Sequence, residues 1–245
     1  MIRVISKKEF RQKLGIDLGT ELARHAPVES VKELYGAPFS YIHRLEKYKS
    51  QKSAAQYLAD HEDRWVLLSL LLFARPERIL EMGTERGKMT ALLALLSAPQ
   101  ARVWTVDLPP RETHGIQYAW EADYPKGEHI NLFGAGHKVT QVFCDSRKIS
   151  AQNLPPMDFC FIDGNHDYDF VRADSEYALA QLRKPAVLVW HDYKSEEPGV
   201  RRYLHELSQH MPLYRVAGSW MMLMVFALVG YEHLNLRRQW LYWPR

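Results

Sequence analysis

The sequence predicts an α/β fold built on a doubly wound, mostly parallel sheet. From residue 78 onward, short and nearly continuous apolar segments alternate with segments of helical character. Such segments are typical of parallel strands that helices cover on both faces. The last two apolar segments flank a tight turn at Gly218-Ser219, which indicates an antiparallel hairpin. We therefore expect a seven-stranded sheet with a C-terminal antiparallel hairpin and an N-terminal helical extension.

The individual elements follow from the apolar pattern and from the turn residues between them. Strands are predicted over 78–82, 102–107, 139–145, 157–163 and 186–190, before the two strands of the hairpin. Helices are predicted over 61–73, 88–97, 170–183 and 200–210. Pro76 ends the first of these helices, because proline cannot continue a helix.

Composition excludes several classes of protein. The 245 residues are 47% hydrophobic and 25% charged, which is typical of a globular chain. The formal net charge of +3 is too small to indicate a nucleic-acid partner, and two cysteines are too few for a disulfide scaffold. The longest apolar runs are far shorter than the roughly 20 residues of a membrane span. Since the N-terminus does not resemble a signal peptide, we expect a cytoplasmic protein with no membrane partner.

The chain divides into three parts by composition. We expect an N-terminal helical extension over residues 1–58, a main domain over 59–230 and a C-terminal tail over 231–245. The tail is rich in aromatic and basic side chains, which suggests that it docks on the domain or on a partner subunit of a homo-oligomer.

The polar residues that end the predicted strands carry the functional signal. In open α/β sheets, ligands bind outside the carboxyl ends of the strands. The residues at these ends are Glu81, Gly83, Thr84, Gly87, Asp107, Asp145, Ser146, Asp163, His191 and Asp192. We therefore expect the binding and catalytic residues among them.

Residues 81–87 follow the first predicted strand and open a helix. Gly83 would let the backbone approach a ligand closely, and Gly87 would allow close packing of the helix on the strand. A plain strand-to-helix turn also uses glycines, so these two residues alone decide nothing. Asp107 adds weight, because an acid at about this spacing, some 20 residues on, accepts the hydroxyls of a ribose.

The run Ile79-Leu-Glu-Met-Gly-Thr-Glu-Arg-Gly-Lys-Met-Thr90, together with Asp107, resembles the cofactor site of class I S-adenosylmethionine (SAM)-dependent methyltransferases, which have a Rossmann-like sheet. Cys144-Asp145-Ser146 is similar to the adenine-contacting position of that family. The resemblance covers about residues 60–229. It implies that SAM is bound by Glu81, Gly83, Thr84, Gly87, Asp107, Asp145, Ser146 and Asp163. Glu85 departs from the family pattern, since a third glycine usually stands there.

The runs Phe161-Ile-Asp-Gly-Asn-His-Asp-Tyr168 and Val189-Trp-His-Asp-Tyr193 resemble the catechol O-methyltransferase-like branch, which includes antibiotic-tailoring sugar and macrolide O-methyltransferases. This resemblance implies that Asp163, His191 and Asp192 bind Mg²⁺ and that His166, three residues after Asp163, is the general base. His191 replaces an acidic or amide residue. Because imidazole suits zinc, iron or nickel better than magnesium, the identity of the metal stays open.

Alternatives remain for each of these side chains. Asp163 also ends its strand in methyltransferases that bind no metal, His166 would fit an ordinary turn, and His191 would fit a hydrogen-bonded structural role. Three functions follow. The first is metal-assisted O-methyl transfer to a small hydroxylated metabolite, such as a sugar or natural product. The second is metal-independent transfer to a nitrogen or macromolecular acceptor, and the third is a non-catalytic binding domain.

The connection over residues 108–138 is long for this fold and rich in aromatic residues. Connections of this length are usually functional or flexible. We expect its aromatic side chains, including Tyr118 and Trp120, to form the roof of an acceptor pocket. The alternative is that they pack a local helix onto the sheet.

Overall fold

The computed structural model describes residues 2–17, 54–110, 125–195 and 198–226. These residues form one eight-stranded sheet with the order β1-β7-β8-β6-β5-β2-β3-β4. The strands are β1 Ile2–Ile5, β2 Arg78–Met82, β3 Arg102–Asp107, β4 Val139–Phe143, β5 Met157–Ile162, β6 Leu182–Trp190, β7 Leu213–Val216 and β8 Met222–Phe226. Strand β8 runs antiparallel to both β6 and β7, and every other neighbouring pair is parallel. The predicted α/β class and the C-terminal hairpin are confirmed.

Helices cover both faces of the sheet. They are α1 Lys7–Leu14, α2 Ala54–Ala74, α3 Lys88–Leu96, α4 Glu128–Leu132, α5 Tyr168–Gln181 and α6 Pro198–Leu207, with 3₁₀ turns at Gly136–Lys138 and Ser146–Gln152. Successive strand residues enter opposite cores. Ile79 packs in the core beneath α1, α2 and α3, whereas Leu80 packs in the core beneath α5 and α6. Burial on both faces explains why the central strands read as continuous apolar runs.

The expected number of strands was wrong, because β1 is an eighth strand at the edge of the sheet. It pairs in parallel with β7, with Ile5 opposite Val216. Only Ile5 of this strand is fully buried, and Val4 is 52% exposed. So short an edge strand leaves no apolar run in the sequence, and residues 2–5 are extended where a helical segment was expected. Helix α1 then begins after Ser6, whose hydroxyl accepts a hydrogen bond from the Glu9 N–H at 3.1 Å.

Three backbone hydrogen bonds continue the sheet beyond its strands and assemble the site. The N–H of Gly83 donates to Val106 at 2.8 Å, and the N–H of Asp163 donates to Met82 at 2.8 Å. The N–H of His191 donates to Ile162 at 2.9 Å. These bonds place the ends of β2, β5 and β6 side by side at the carboxyl edge.

Several predictions fall on residues outside the described parts of the chain. These are most of the N-terminal extension, the C-terminal tail and residues 111–124 of the long connection, including Tyr118 and Trp120. Within the described part of that connection, His129 and Phe133 contact each other edge to face at 6.0 Å. No helix in the described ranges is both long enough and apolar enough to cross a membrane.

Candidate active site

The loop between β2 and α3 lies against the loop that follows β5. Gly83 has a φ of 96°, and a Cβ there would overlap the carbonyl oxygen of Asp163. Gly87 has a φ of 77°, and a Cβ there would lie 2.8 Å from the Cα of Gly127. Both positions therefore require glycine for conformation and for space. Glu85, which departs from the family pattern, also has a positive φ of 49°, a conformation that costs a non-glycine residue free energy.

Glu81 and Thr84 support this loop from below. The Glu81 carboxyl is 1% exposed and accepts hydrogen bonds from the hydroxyls of Thr90 and Thr105, the second at 2.6 Å. Burial raises the pKa of Glu81 to about 8, although these two hydrogen bonds favour the ionised form. The hydroxyls of Thr84 and Thr105 lie 2.7 Å apart. A network of one carboxyl and three hydroxyls thus fixes the loop to β2, β3 and α3.

Asp107 ends β3 and faces the same loop. Its carboxylate accepts hydrogen bonds from the backbone N–H of Glu85 at 2.8 Å and of Leu108 at 2.7 Å. Lys126 also forms an ion pair with this carboxylate. Lys126 comes from the long connection, and the sequence analysis did not predict its contact with Asp107. A ribose that binds Asp107 would have to share the carboxylate with this ammonium group or displace it.

Asp145 and Ser146 follow β4 at the far side of the loop. Arg147 holds Asp145 in a two-pronged ion pair, with Nε 3.0 Å from Oδ1 and Nη2 2.7 Å from Oδ2. Asp174 on α5 is buried nearby, and burial raises the pKa of its carboxyl to about 7 while a hydrogen bond from Ser146 opposes the rise. These residues line the end of the site that the resemblance assigns to adenine.

The carboxylates of Asp163 and Asp192 and the imidazole of His191 come together where β5 and β6 end. One ligand atom of each residue lies within 4.8 Å of the others. His191 Nδ1 is 3.1 Å from Asp163 Oδ1 and 2.8 Å from Asp192 Oδ2. Two carboxylates and one imidazole nitrogen are a donor set that fits a divalent cation. Asp192 is held in place with a φ of 56°, a strained conformation that is often found at functional sites.

His191 has a third acidic neighbour that the sequence did not reveal. Asp63 on α2 is 1% exposed, and its Oδ2 lies 3.2 Å from His191 Nε2. Burial lowers the pKa of His191, but the charges of Asp163 and Asp192 outweigh this and raise it well above its usual value. The charge of His191 in turn holds the pKa of Asp192 far below its usual range against the effect of burial.

His166 lies next to the triad, as its position in the sequence predicted. Its Nε2 is 2.9 Å from Asp192 Oδ2. The backbone of His166 also contacts α6, because a Cβ at Gly199 would overlap the His166 carbonyl oxygen. Close packing of α6 therefore fixes the loop that carries His166. One cavity is lined by Asp163, Gly164, His166, His191 and Asp192, among others.

The sheet order, the glycine loop and the acid that ends β3 are the arrangement that the resemblance to class I SAM-dependent methyltransferases predicts. Residues 80–193 match a family described as "Methyltransferase domain". This match agrees with the resemblance to methyltransferases that was drawn from the sequence. None of the curated proteins compared is similar enough in sequence to count as a match.

Solved structures share the fold. The O-methyltransferase TomG from Streptomyces achromogenes, involved in tomaymycin synthesis, is 19% identical with a TM-score of 0.52, and the match covers 89% of this chain and 99% of TomG. An O-methyltransferase from Bacillus cereus is 19% identical with a TM-score of 0.50, covering 86% and 100%. The calicheamicin methyltransferase CalS11 is 15% identical with a TM-score of 0.53, covering 86% and 94%. At these identities the likeness is one of fold.

Proposed function

We propose that this protein transfers the methyl group of SAM to a hydroxyl group of a small metabolite, a sugar or natural product, with a divalent cation bound by Asp163, His191 and Asp192. One observation carries the proposal. Asp163 contacts Gly83 of the glycine loop through its backbone and joins the triad through its side chain. A methyl donor in the loop and a hydroxyl group at the triad would therefore lie side by side. TomG is an O-methyltransferase involved in tomaymycin synthesis, and CalS11 is a TDP-rhamnose 3'-O-methyltransferase of calicheamicin biosynthesis. Both agree with this acceptor class.

The binding roles divide along the carboxyl edge of the sheet. Gly83 and Gly87 allow the backbone to approach the donor, and Glu81 and Thr84 hold that backbone in place. Asp107 accepts the ribose hydroxyls. The remaining assignments place the adenine at Asp145 and Ser146 and the methionine moiety beside Asp163.

His166 would act as the general base. A new bond forms between the acceptor oxygen and the methyl carbon while the bond between that carbon and the sulfur breaks, and the hydroxyl proton passes to His166. Asp192 orients the imidazole through the contact at 2.9 Å, and histidine is the side chain that most often serves as a general base. The cation, when bound, stabilises negative charge on the acceptor oxygen.

The first test is calorimetric titration with S-adenosylhomocysteine (SAH), with and without Mg²⁺. We expect Asp107→Ala to weaken SAH binding by about 10- to 100-fold, since a ribose loses its hydrogen bonds to a charged acceptor. Asp169→Ala, which removes an exposed carboxylate on α5, is the matched control and should bind SAH normally. Equal affinity in wild type and Asp107→Ala would contradict the cofactor assignment.

The second test is methyl transfer to a panel of hydroxylated acceptors that includes a nucleoside diphosphate sugar and a catechol. We expect turnover to fall on treatment with a chelator and in Asp163→Asn, while Asp169→Asn keeps full turnover. Full turnover in Asp163→Asn would reject the metal-assisted reaction. One observation favours the metal-independent alternative. His191 lies between the carboxylates of Asp163 and Asp192, and a protonated imidazole there would neutralise their charge without a cation.

The acceptor we propose is a small molecule and not a nucleic acid. The three-part division at residues 58 and 230, a cytoplasmic location and a homo-oligomer stay predictions.

A further inference from the structure

Asp63 lies behind the triad, on a helix that the sequence analysis did not connect with function. We propose that Asp63 is a positioning residue that fixes the tautomer of His191 and thereby makes the triad select a divalent transition-metal ion over Mg²⁺. This inference rests on the proposed function, because it concerns the same cation site. It adds a fourth residue to the site and names the class of metal.

The two oxygens of Asp63 have different partners. Oδ1 accepts a hydrogen bond from the backbone N–H of Trp220 at 2.6 Å, and Oδ2 lies 3.2 Å from His191 Nε2. An ionised carboxylate only accepts hydrogen bonds, so His191 Nε2 must be the donor. The contact therefore keeps a proton on Nε2 and turns Nδ1 toward Asp163 and Asp192.

This arrangement is the one in which histidine ligands are generally held in metalloproteins. A ligating imidazole donates its second N–H to a carboxylate or carbonyl, which fixes the ring and makes it a better ligand. Asp63 supplies that carboxylate from a fully buried position on α2.

The choice of metal follows from the donor atoms. Mg²⁺ prefers oxygen ligands and gives up its water reluctantly. An imidazole nitrogen strengthens the binding of manganese, iron, cobalt, nickel and zinc, and the affinity rises along the series from manganese to nickel. A triad with a fixed Nδ1 therefore discriminates against Mg²⁺ more strongly than the all-oxygen set that an acidic or amide residue at position 191 would give.

The neighbourhood of Asp63 provides a matched control. The adjacent Glu62 on α2 forms an ion pair with Lys7 on α1 at 2.6 Å. Glu62→Gln removes one carboxylate from the same helical turn but leaves the His191 contact intact. A change that reflects general loosening of α2 would appear in both variants, whereas a change in His191 would appear only at Asp63.

Asp63→Asn separates the two contacts of the carboxylate. The Trp220 N–H can only donate, so it keeps the side-chain oxygen of the asparagine and leaves the amide NH₂ facing His191. His191 Nε2 must then accept, which places the proton on Nδ1 and directs an N–H at the metal position. Fold and size are retained while the ligand atom is lost.

The experiment compares Co²⁺ and Mg²⁺ affinity in wild type, Asp63→Asn and Glu62→Gln by calorimetry, with SAH bound. Pulsed electron paramagnetic resonance of bound Mn²⁺ adds a direct readout of nitrogen ligation. We expect Asp63→Asn to weaken Co²⁺ binding by about 10- to 100-fold and to lose the nitrogen coupling, while Mg²⁺ affinity falls by a smaller factor because Mg²⁺ depends mainly on the two carboxylates. Glu62→Gln should match wild type in every readout.

Unchanged Co²⁺ affinity and nitrogen coupling in Asp63→Asn would overturn the inference and leave the proposed function standing. If wild type binds SAH but neither Co²⁺ nor Mg²⁺, the metal-assisted reaction fails and the inference falls with it. His191→Asn serves if Asp63→Asn does not fold. It offers an oxygen in place of Nδ1, and the preference for Co²⁺ over Mg²⁺ should fall about ten-fold. An unchanged preference would overturn the inference.

Discussion

The buried carboxyl of Glu81 should make the stability of the protein fall as the pH rises. Its pKa is about 8 in the folded protein, against 4.5 for an unperturbed glutamate. Between these two values the folded state holds a proton that the unfolded state has released. Stability contributed by this group is therefore fully present below pH 4.5 and is lost as the pH rises through 8. From pH 5 to pH 8 the loss is about 3 kcal/mol, since each unit of pKa difference corresponds to about 1.4 kcal/mol.

Glu81→Gln removes this titration and keeps the shape of the neutral acid. Both threonine hydroxyls donate to Oε2 of Glu81, and the amide oxygen of the glutamine can accept both hydrogen bonds at that position. We expect the variant to be close to wild type at pH 5 and to be more stable than wild type by about 3 kcal/mol at pH 8. The assay is urea unfolding at pH 5, 6, 7 and 8. The difference in the free energy of unfolding between wild type and Glu81→Gln at each pH reports the titration of Glu81, because all other groups are common to both proteins.

The control for this series is Glu77→Gln, which removes an exposed carboxylate just before β2. The Glu77 side chain is 61% exposed, and its closest cation, on Arg183, is 3.9 Å away. Its stability should follow that of wild type at each pH. A constant difference between wild type and Glu81→Gln across the series would refute the reasoning, because it would mean that Glu81 titrates alike in the folded and unfolded states.

Three further changes test the support of the site. Lys138 caps the end of α3, with Nζ 3.0 Å from the Ser97 carbonyl oxygen and 2.9 Å from the Ala98 carbonyl oxygen. Lys138→Met should therefore lower the free energy of unfolding, measured in urea, by about 2 kcal/mol. An unchanged free energy of unfolding would show that water replaces the cap. Gly83→Ala should cost at least about 2 kcal/mol and abolish SAH binding, and retained binding would contradict the close approach to Asp163. Lys126→Met should tighten SAH binding by up to about five-fold in calorimetry, since it frees the Asp107 carboxylate; weaker binding would mean that Lys126 contacts the ligand.

The sequence was sufficient for the central strands and for the residues at their ends. Ile79 and Leu80 are buried on opposite faces of the sheet, and the continuous apolar run of β2 predicts this burial on both faces. Once such strands are parallel, all their carboxyl ends meet at one edge, so Asp163 and Asp192 had to lie near each other. Local pattern and topology were enough to predict this part of the site.

The sequence was not sufficient where a contact depends on one residue far along the chain. Strand β1 has one fully buried residue, Ile5, and its partner strand begins at Leu213, so no local periodicity predicts the pairing. Lys126 and Asp63 are equally invisible, since an isolated lysine or aspartate on a helix or turn is most often solvated. Their roles depend on tertiary contacts, which bring the Asp107 carboxylate to Lys126 and the His191 imidazole to Asp63.

The N-terminal segment helps to position the site, because it packs on helix α2. Phe10 on α1 packs edge to face on Trp65 of α2 at 5.4 Å, and Arg11 lies over the same indole ring at 4.8 Å. Asp63 lies half a turn from that indole and joins His191 to the backbone of Trp220. The N-terminal segment therefore makes two contacts near the site. Helix α1 packs on α2, the helix that carries Asp63. Strand β1 pairs with β7, which leads into the hairpin turn whose Trp220 N–H donates to Asp63. The orientation of the one imidazole in the triad thus depends on elements from both ends of the described chain, which is why no motif within residues 80–193 contains it.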